Sequence, residues 1–192
     1  MIKTLFFIFK IFFLYQLFIS ICLADLQKDI INKLTATKTL TFDFKQKISD
    51  KEERGNCFIK YPLLMKCNYK NLKEKTIISN GKTLAIVKKK YKKIYLYPIK
   101  STPLFFILKK EKIINLVRNT KLIKINSDLI EFIFIDKKTN KVKILFDKNS
   151  FEFKGWETKD AYSNKVSFEI NNLIINNQIL DNFFKIPQEK DL

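Results

Sequence analysis

The chain has 192 residues, enough for one domain with a real core, and carries 37 Lys and Arg against 19 Asp and Glu, a formal charge of +18. It contains no histidine and three glycines. That removes the commonest general base and metal ligand, and any glycine-rich phosphate loop. Lysines run along the whole chain, while only Arg54 and Arg118 offer a bidentate phosphate grip. Lys, Ile, Asn and Phe are abundant together, as coding DNA rich in A and T would produce. A solvated basic surface therefore explains the charge better than a nucleic-acid partner.

The first 24 residues read as an export signal. "MIKTLFFIFK" supplies Lys3 and Lys10, "IFFLYQLFISI" is an apolar run short for a bilayer span, and "CLAD" closes it with small residues. Cys22 and Ala24 occupy the −3 and −1 positions of a cleavage site. The expected organisation is a signal peptide at 1–24 and one domain at 25–192. An uncleaved anchor is the alternative, because counting the Phe-rich start lengthens the run to about 20 residues. Ile21 before Cys22 argues against a lipoprotein signal.

"DLQKDIINKLTATK" puts Leu26, Ile30, Ile31 and Leu34 on one helical stripe, predicting an N-terminal amphipathic helix. The period then changes to two. "TLTFDFKQKI" alternates, with Leu40, Phe42, Phe44 and Ile48 on one face. In "GNCFIKYPLLMKCNYK" a turn near Pro62 would pair Lys60 with Leu64, Ile59 with Met65 and Cys57 with Cys67. Cys57, Ile59, Tyr61, Met65, Cys67 and Tyr69 then share an apolar face, with Phe58 the exception on the other. Opposed in that register, Cys57 and Cys67 either bridge, as an exported protein allows, or pack as two buried thiols. Without histidine and without Cys-x-x-Cys spacing they make no metal site.

"TIISNGKTLAIV" contains Asn80-Gly81 between aliphatic runs, the type I′ hairpin dipeptide. "KKIYLYPI" is a further strand. "STPLFFIL" then breaks the pattern as a short helix with five consecutive large apolar residues, more than one face can hide. Five further strands follow, from "LIEFIFID" to "LIINNQIL". In "LIEFIFID", Ile130, Phe132 and Phe134 lie on one face while Leu129, Ile133 and Ile135 lie on the other, so both faces need cover. About ten or eleven strands with two helices predict a mainly β (α+β) fold. The successive hairpins argue an antiparallel meander curved into a barrel or half-barrel. From Asp25 onward the chain carries 13 Phe and 6 Tyr, a supply that suits either a core or an apolar cavity.

These features, taken in order, resemble the periplasmic outer-membrane lipoprotein carriers of the LolA type, especially their alphaproteobacterial branch. The matches are the signal peptide, the first helix, "FDFKQ", "GNCFIKYP", "CNYK", "IISNGKTLAIV", "YPIKSTPLFFIL" and the closing "GWETKD…NFFKIP". The resemblance implies a mainly β (α+β) fold, a single strongly curved antiparallel sheet forming an incomplete barrel whose open side is closed by the N-terminal helix and a short central lid helix. Its cavity would hold the acyl chains of lipoproteins taken from an inner-membrane ABC lipoprotein-releasing complex. The cargo would be handed on at the outer membrane, with an outer-membrane receptor as a further partner. No catalysis, cofactor, metal or nucleic acid is implied, and the carrier is expected to be a monomer in the periplasm. A lipid- or lipoprotein-sensing module on the same fold is the alternative.

The expected cavity lining, taken from the apolar faces, is Leu40, Phe42, Phe44, Ile59, Tyr61, Met65, Leu84, Ile86, Phe132 and Phe134. The expected lid is Pro103, Leu104, Phe105, Ile107 and Leu108. One position departs from the family. The arginine before its proline, which in relatives hydrogen-bonds toward the lid, is Tyr61 here, and a weaker latch is expected. Cys67 also stands where the family has a bulky aromatic.

Overall fold

The computed structural model describes residues 25–70, 74–120, 123–135, 141–159 and 163–192. The expected signal peptide, with Cys22 and Ala24, lies outside them. Helix α1 occupies residues 25–36 and buries Ile30 and Leu34 in the main core, with Leu26 and Ile31 packed beside them. Six strands follow as successive hairpins: β1 (Thr39–Ile48), β2 (Lys51–Lys60), β3 (Leu64–Tyr69), β4 (Lys75–Asn80), β5 (Thr83–Lys88) and β6 (Lys93–Pro98). Helices α2 (Leu104–Leu108) and α3 (Lys110–Asn119) come next. The sheet then resumes with β7 (Ile123–Ile125), β8 (Leu129–Ile135), β9 (Lys141–Asp147), β10 (Phe153–Lys159) and β11 (Lys165–Ile175).

All eleven strands form one sheet in the order β6-β5-β4-β3-β2-β1-β11-β10-β9-β8-β7. Every pairing is antiparallel, and only the central β1–β11 pair joins strands that are not consecutive. The edges β6 and β7 are not paired with each other, so the barrel stays open. The α2–α3 segment is the connection that carries the chain from one edge to the other.

The sheet must be strongly curved. Strands β6 and β10 stand seven positions apart, which in a flat sheet would separate them by about 34 Å. Yet Tyr97 of β6 and Trp156 of β10 line the same small cavity. The inner face of the curve holds the main core, with Leu40, Phe42 and Phe44 of β1, Phe132 of β8, Phe146 of β9 and Phe168 of β11 buried beneath the helices. The outer face of β4 and β5 buries Ile78, Ala85 and Val87 under Ile186 and Leu192 of the C-terminal tail. Phe58, the residue on the wrong face of its strand, meets Phe183 of that tail with ring centres 4.9 Å apart.

The β2–β3 register is the expected one, with Lys60 opposite Leu64, Ile59 opposite Met65 and Cys57 opposite Cys67. Cys57 and Cys67 form a disulfide. Tyr61 and Pro62 are joined by a cis peptide bond in the turn.

Three expectations are corrected. The β4–β5 turn is not type I′. Ser79 pairs with Leu84, and of the Asn80-Gly81 pair only Gly81 has a positive φ, 94°. The loop residues are therefore Gly81 and Lys82, with glycine in the first place as type II′ turns require. The Asn80 side chain accepts hydrogen bonds from the Lys82 and Thr83 N–H groups instead. Second, a further helix joins the two expected: α3 buries Ile113, Leu116 and Val117 at helical spacing. Third, β8 is not covered on both faces along its length. Ile130, Phe132 and Ile133 are buried, but Phe134 and Ile135 are exposed. Beyond Ile133, on the outer face, Lys143 bridges Glu131 and Glu157 at 3.3 and 3.2 Å.

Candidate functional site

Between the inner face and the start of α2 lies a cavity of about 400 Å³. Alternate residues of neighbouring strands form its floor: Cys57 and Ile59 of β2, Met65, Cys67 and Tyr69 of β3, Ile77 of β4, and Leu84 and Ile86 of β5. Because side chains alternate along a strand, this one face of four strands is apolar while Lys60, Lys66 and Asn68 point the other way. Trp156 and Phe168 make the far wall, and Pro103, Leu104 and Ile107 the roof. Tyr97 of the edge strand and exposed Lys159, the one charged lining residue among the described residues, stand at its margin.

An aromatic ladder supports the floor. Phe153 stacks on Trp156, Trp156 on Phe168 at 4.0 Å, and Phe168 on Phe44 at 4.8 Å; Phe44 meets Tyr69 edge-on at 4.8 Å. The ladder crosses β2 at Gly55, paired between Phe44 and Tyr69. A Cβ there would sit 2.7 Å from the Phe44 ring and closer still to the Asn68 carbonyl oxygen, so only glycine lets the rings meet. Tyr69 donates a 2.8 Å hydrogen bond to Gln46 Oε1, which satisfies the polar atoms at this end. Burial, with a contribution from the Glu53 charge, pushes the Tyr69 phenol well above its ordinary pKa.

The roof uses every side of α2. Leu104 and Ile107 face the cavity, and Leu108 is fully buried, its carbonyl accepting the Leu63 N–H at 3.0 Å. Phe106 stacks against Phe134 at 5.9 Å, and Phe105 lies under Lys109 and Lys112, whose ammonium groups are 5.9 and 5.4 Å from its ring. No side chain caps the helix N-terminus. A five-residue helix without a cap depends on these tertiary contacts, not on its own propensity.

Of the expected lining, the structure brings Ile59, Met65, Leu84 and Ile86 to the cavity, with Pro103, Leu104 and Ile107 of the expected lid. The others sit elsewhere. Leu40, Phe42, Phe44 and Phe132 share the inner face but are packed in the core, in one cluster with buried residues of α1, α2 and α3. Phe134 is at the far edge against Phe106. Phe105 and Leu108 do not line the cavity: Phe105 lies on another side of α2, and Leu108, one helical turn on from Leu104, is packed into the core. The sequence reading missed Trp156, Phe168, Val166, Ile48, Ile77 and Tyr97, all on the cavity side of strands it had recognised. Even spacing from Phe44 through Gln46 to Ile48 was a usable signal for one of them.

Tyr61 is also outside the lining. Its hydroxyl is buried with no hydrogen-bond partner among the described residues. Burial, reinforced by the Glu111 charge, raises its pKa well above the ordinary phenol value. The cation nearby belongs to Lys110, which lies 5.7 Å from the Tyr61 ring centre. Its ammonium donates hydrogen bonds to the carbonyls of Thr35 and Thr37 at 3.0 and 2.8 Å, at the end of α1.

Among the described residues no cluster of His, Cys, Asp and Glu could hold a metal ion, and no helix is long and apolar enough to cross a membrane.

No curated protein matches the chain by sequence. Solved structures match its fold at low identity. An uncharacterized conserved protein from Thermus thermophilus superposes with a TM-score of 0.52 at 7% identity, covering 85% of this chain and 94% of the other. LprF from Mycobacterium bovis gives 0.52 at 8% identity, with 86% and 97% covered. The MucA/MucB complex of Pseudomonas aeruginosa gives 0.50 at 7%, with 87% and 62% covered. The family model of the outer membrane lipoprotein carrier protein LolA matches residues 35–187, which span the whole sheet with α2 and α3. The open eleven-stranded sheet and that match together place the chain in the LolA family.

Proposed function

We propose that the protein is a periplasmic carrier that takes the acyl chains of lipoproteins released from the inner membrane and delivers them to the outer membrane. The observation that supports this reading is the cavity under α2, lined mainly by apolar side chains, with Tyr69 and Gln46 bonded to each other and Ser101 and Thr102 bonded to backbone carbonyls. Each CH₂ moved from water to such a surface contributes about 0.8 kcal/mol, so acyl chains cannot cross an aqueous space unshielded. At about 30 Å³ per water-sized group, 400 Å³ accommodates roughly one acyl chain. A cargo with more chains requires α2 to move aside. The carrier makes and breaks no bond, and it works with an ABC releasing complex at one membrane and a receptor or the bilayer itself at the other.

Depleting the protein in its host tests the reading. Lipoproteins accumulating in the inner membrane support it, and normal sorting overturns it. A second reading is a lipid- or lipoprotein-sensing module on the same fold that binds without trafficking cargo. Its support is the similarity in fold to MucB in complex with MucA. Acyl species co-purifying with a protein whose depletion leaves sorting intact would favour it.

A further inference from the structure

The lysines, spread over the sequence as a whole, are not evenly balanced by acids. Residues 75 to 110 contain ten lysines and no Asp or Glu. This stretch encodes β4, β5, β6 and α2, the side of the sheet that borders the cavity. Its most exposed part is the β5–β6 connection, where Lys89, Lys90, Lys92 and Lys93 surround Tyr91, itself 51% exposed. On the edge strand beyond, Tyr95, Leu96 and Tyr97 remain 41%, 61% and 44% exposed.

A merely soluble edge strand would carry charge without these rings. Tyrosines with apolar bodies and polar tips, set among lysines, match the boundary between headgroups and acyl chains of a negatively charged bilayer. The Lys88 ammonium already lies 5.0 Å from the Tyr95 ring, so cation and ring present one surface. Addition of another strand at this edge is disfavoured, because Glu189 of the tail accepts the Ile94 N–H and Pro98 has none to give.

We propose that the β5–β6 hairpin docks on an anionic lipid bilayer, with Lys89, Lys90, Lys92 and Lys93 at the phosphate level and Tyr91 seated between headgroups. Docking brings the Tyr97 margin of the cavity to the membrane surface. The inference uses the cavity only for its position and holds whether or not the cavity carries acyl chains.

The test is co-sedimentation of the purified protein with vesicles of phosphatidylethanolamine containing about one-third phosphatidylglycerol, alongside vesicles of phosphatidylcholine alone. Binding is expected only to the anionic vesicles. It should be lost in about 1 M salt, where the screening length falls to about 3 Å. Reversing the four turn lysines to glutamate should weaken it at least about tenfold. Tyr91→Ser should weaken it about threefold or more with the charge unchanged. These positions are exposed and outside the cavity, so apolar-dye uptake, measured in parallel, should stay at the wild-type level. Equal pelleting with both vesicle types, or no effect of charge reversal, overturns the proposal. So does a dimer that these substitutions dissolve, or binding to polyglutamate without binding to vesicles. Failed dye uptake with intact vesicle binding would count against the carrier reading alone.

Discussion

The ammonium of Lys110 stands over Tyr61 and holds the carbonyls of Thr35 and Thr37, tying α3 to the end of α1. A cation at a helix C-terminus is favourable both as a donor and against the helix dipole. The contact that closes the helical layer therefore comes from α3, while the neighbouring hairpin contributes a phenol with no hydrogen-bond partner among the described residues. Lys110→Met should lower stability by about 1.5–3 kcal/mol and raise apolar-dye uptake. Tyr61→Arg in that background should return dye uptake toward the original level. Unchanged uptake in Lys110→Met would show that the clasp does not control access.

Tyr61→Phe removes a buried hydroxyl that has no partner among the described residues. It should raise the unfolding free energy by about 1 kcal/mol, read from the denaturant midpoint. Destabilisation of that size instead would mean the hydroxyl is bonded.

Alkaline pH should destabilise the fold through Tyr61 and Tyr69, whose phenols are both held above their ordinary value of 10.0. Below pH 10 both states keep the proton, and the contribution is fully present. Above it the unfolded chain ionises first and binds fewer protons, so stability falls as pH rises. Tyr61→Phe should make the alkaline decline less steep in thermal melts between about pH 9.5 and 11.5; an unchanged slope would sink the assignment.

Two substitutions in one helix should separate roof from core. Leu104→Asp puts a carboxylate against the cavity and should abolish dye binding with a modest loss of stability. Leu108→Asp buries a charge where 0% of the side chain is exposed and should prevent folding. Similar behaviour of the two, in circular dichroism and dye titration, would mean that α2 is ordinary core.

Reducing the Cys57–Cys67 bridge, or replacing both residues with alanine, should cost about 2–3 kcal/mol for so short a loop. Because both residues line the cavity, dye affinity should change as well. Comparing urea midpoints with and without reductant checks the first part.

Much of the fold was legible. Strict alternation from Leu40 to Ile48 fixed β1, and odd-numbered apolar residues fixed the β2–β3 register down to the opposed cysteines. Helix α3 escaped notice because Lys109, Lys110 and Lys112 resemble a solvated flank, although Ile113, Leu116 and Val117 already had helical spacing. The cavity was harder to read than the sheet. Alternation tells which side of a strand is apolar, but not where along the curve the helices press down. Phe42 and Ile59 look equivalent in sequence, yet one is packed in the core and the other lines the cavity. The clasp was illegible for a related reason, since Lys110 reaches across 73 residues to Thr37.

The two edges of the open sheet are joined by a covalent strap, the segment containing α2 and α3. Extended chain advances about 3.3 Å per residue and helix about 1.5 Å. Unwinding the five residues of α2 would therefore give the strap about 9 Å of slack without disturbing a single strand pairing. Slack of that size would let the mouth widen while the frame of paired strands keeps its register.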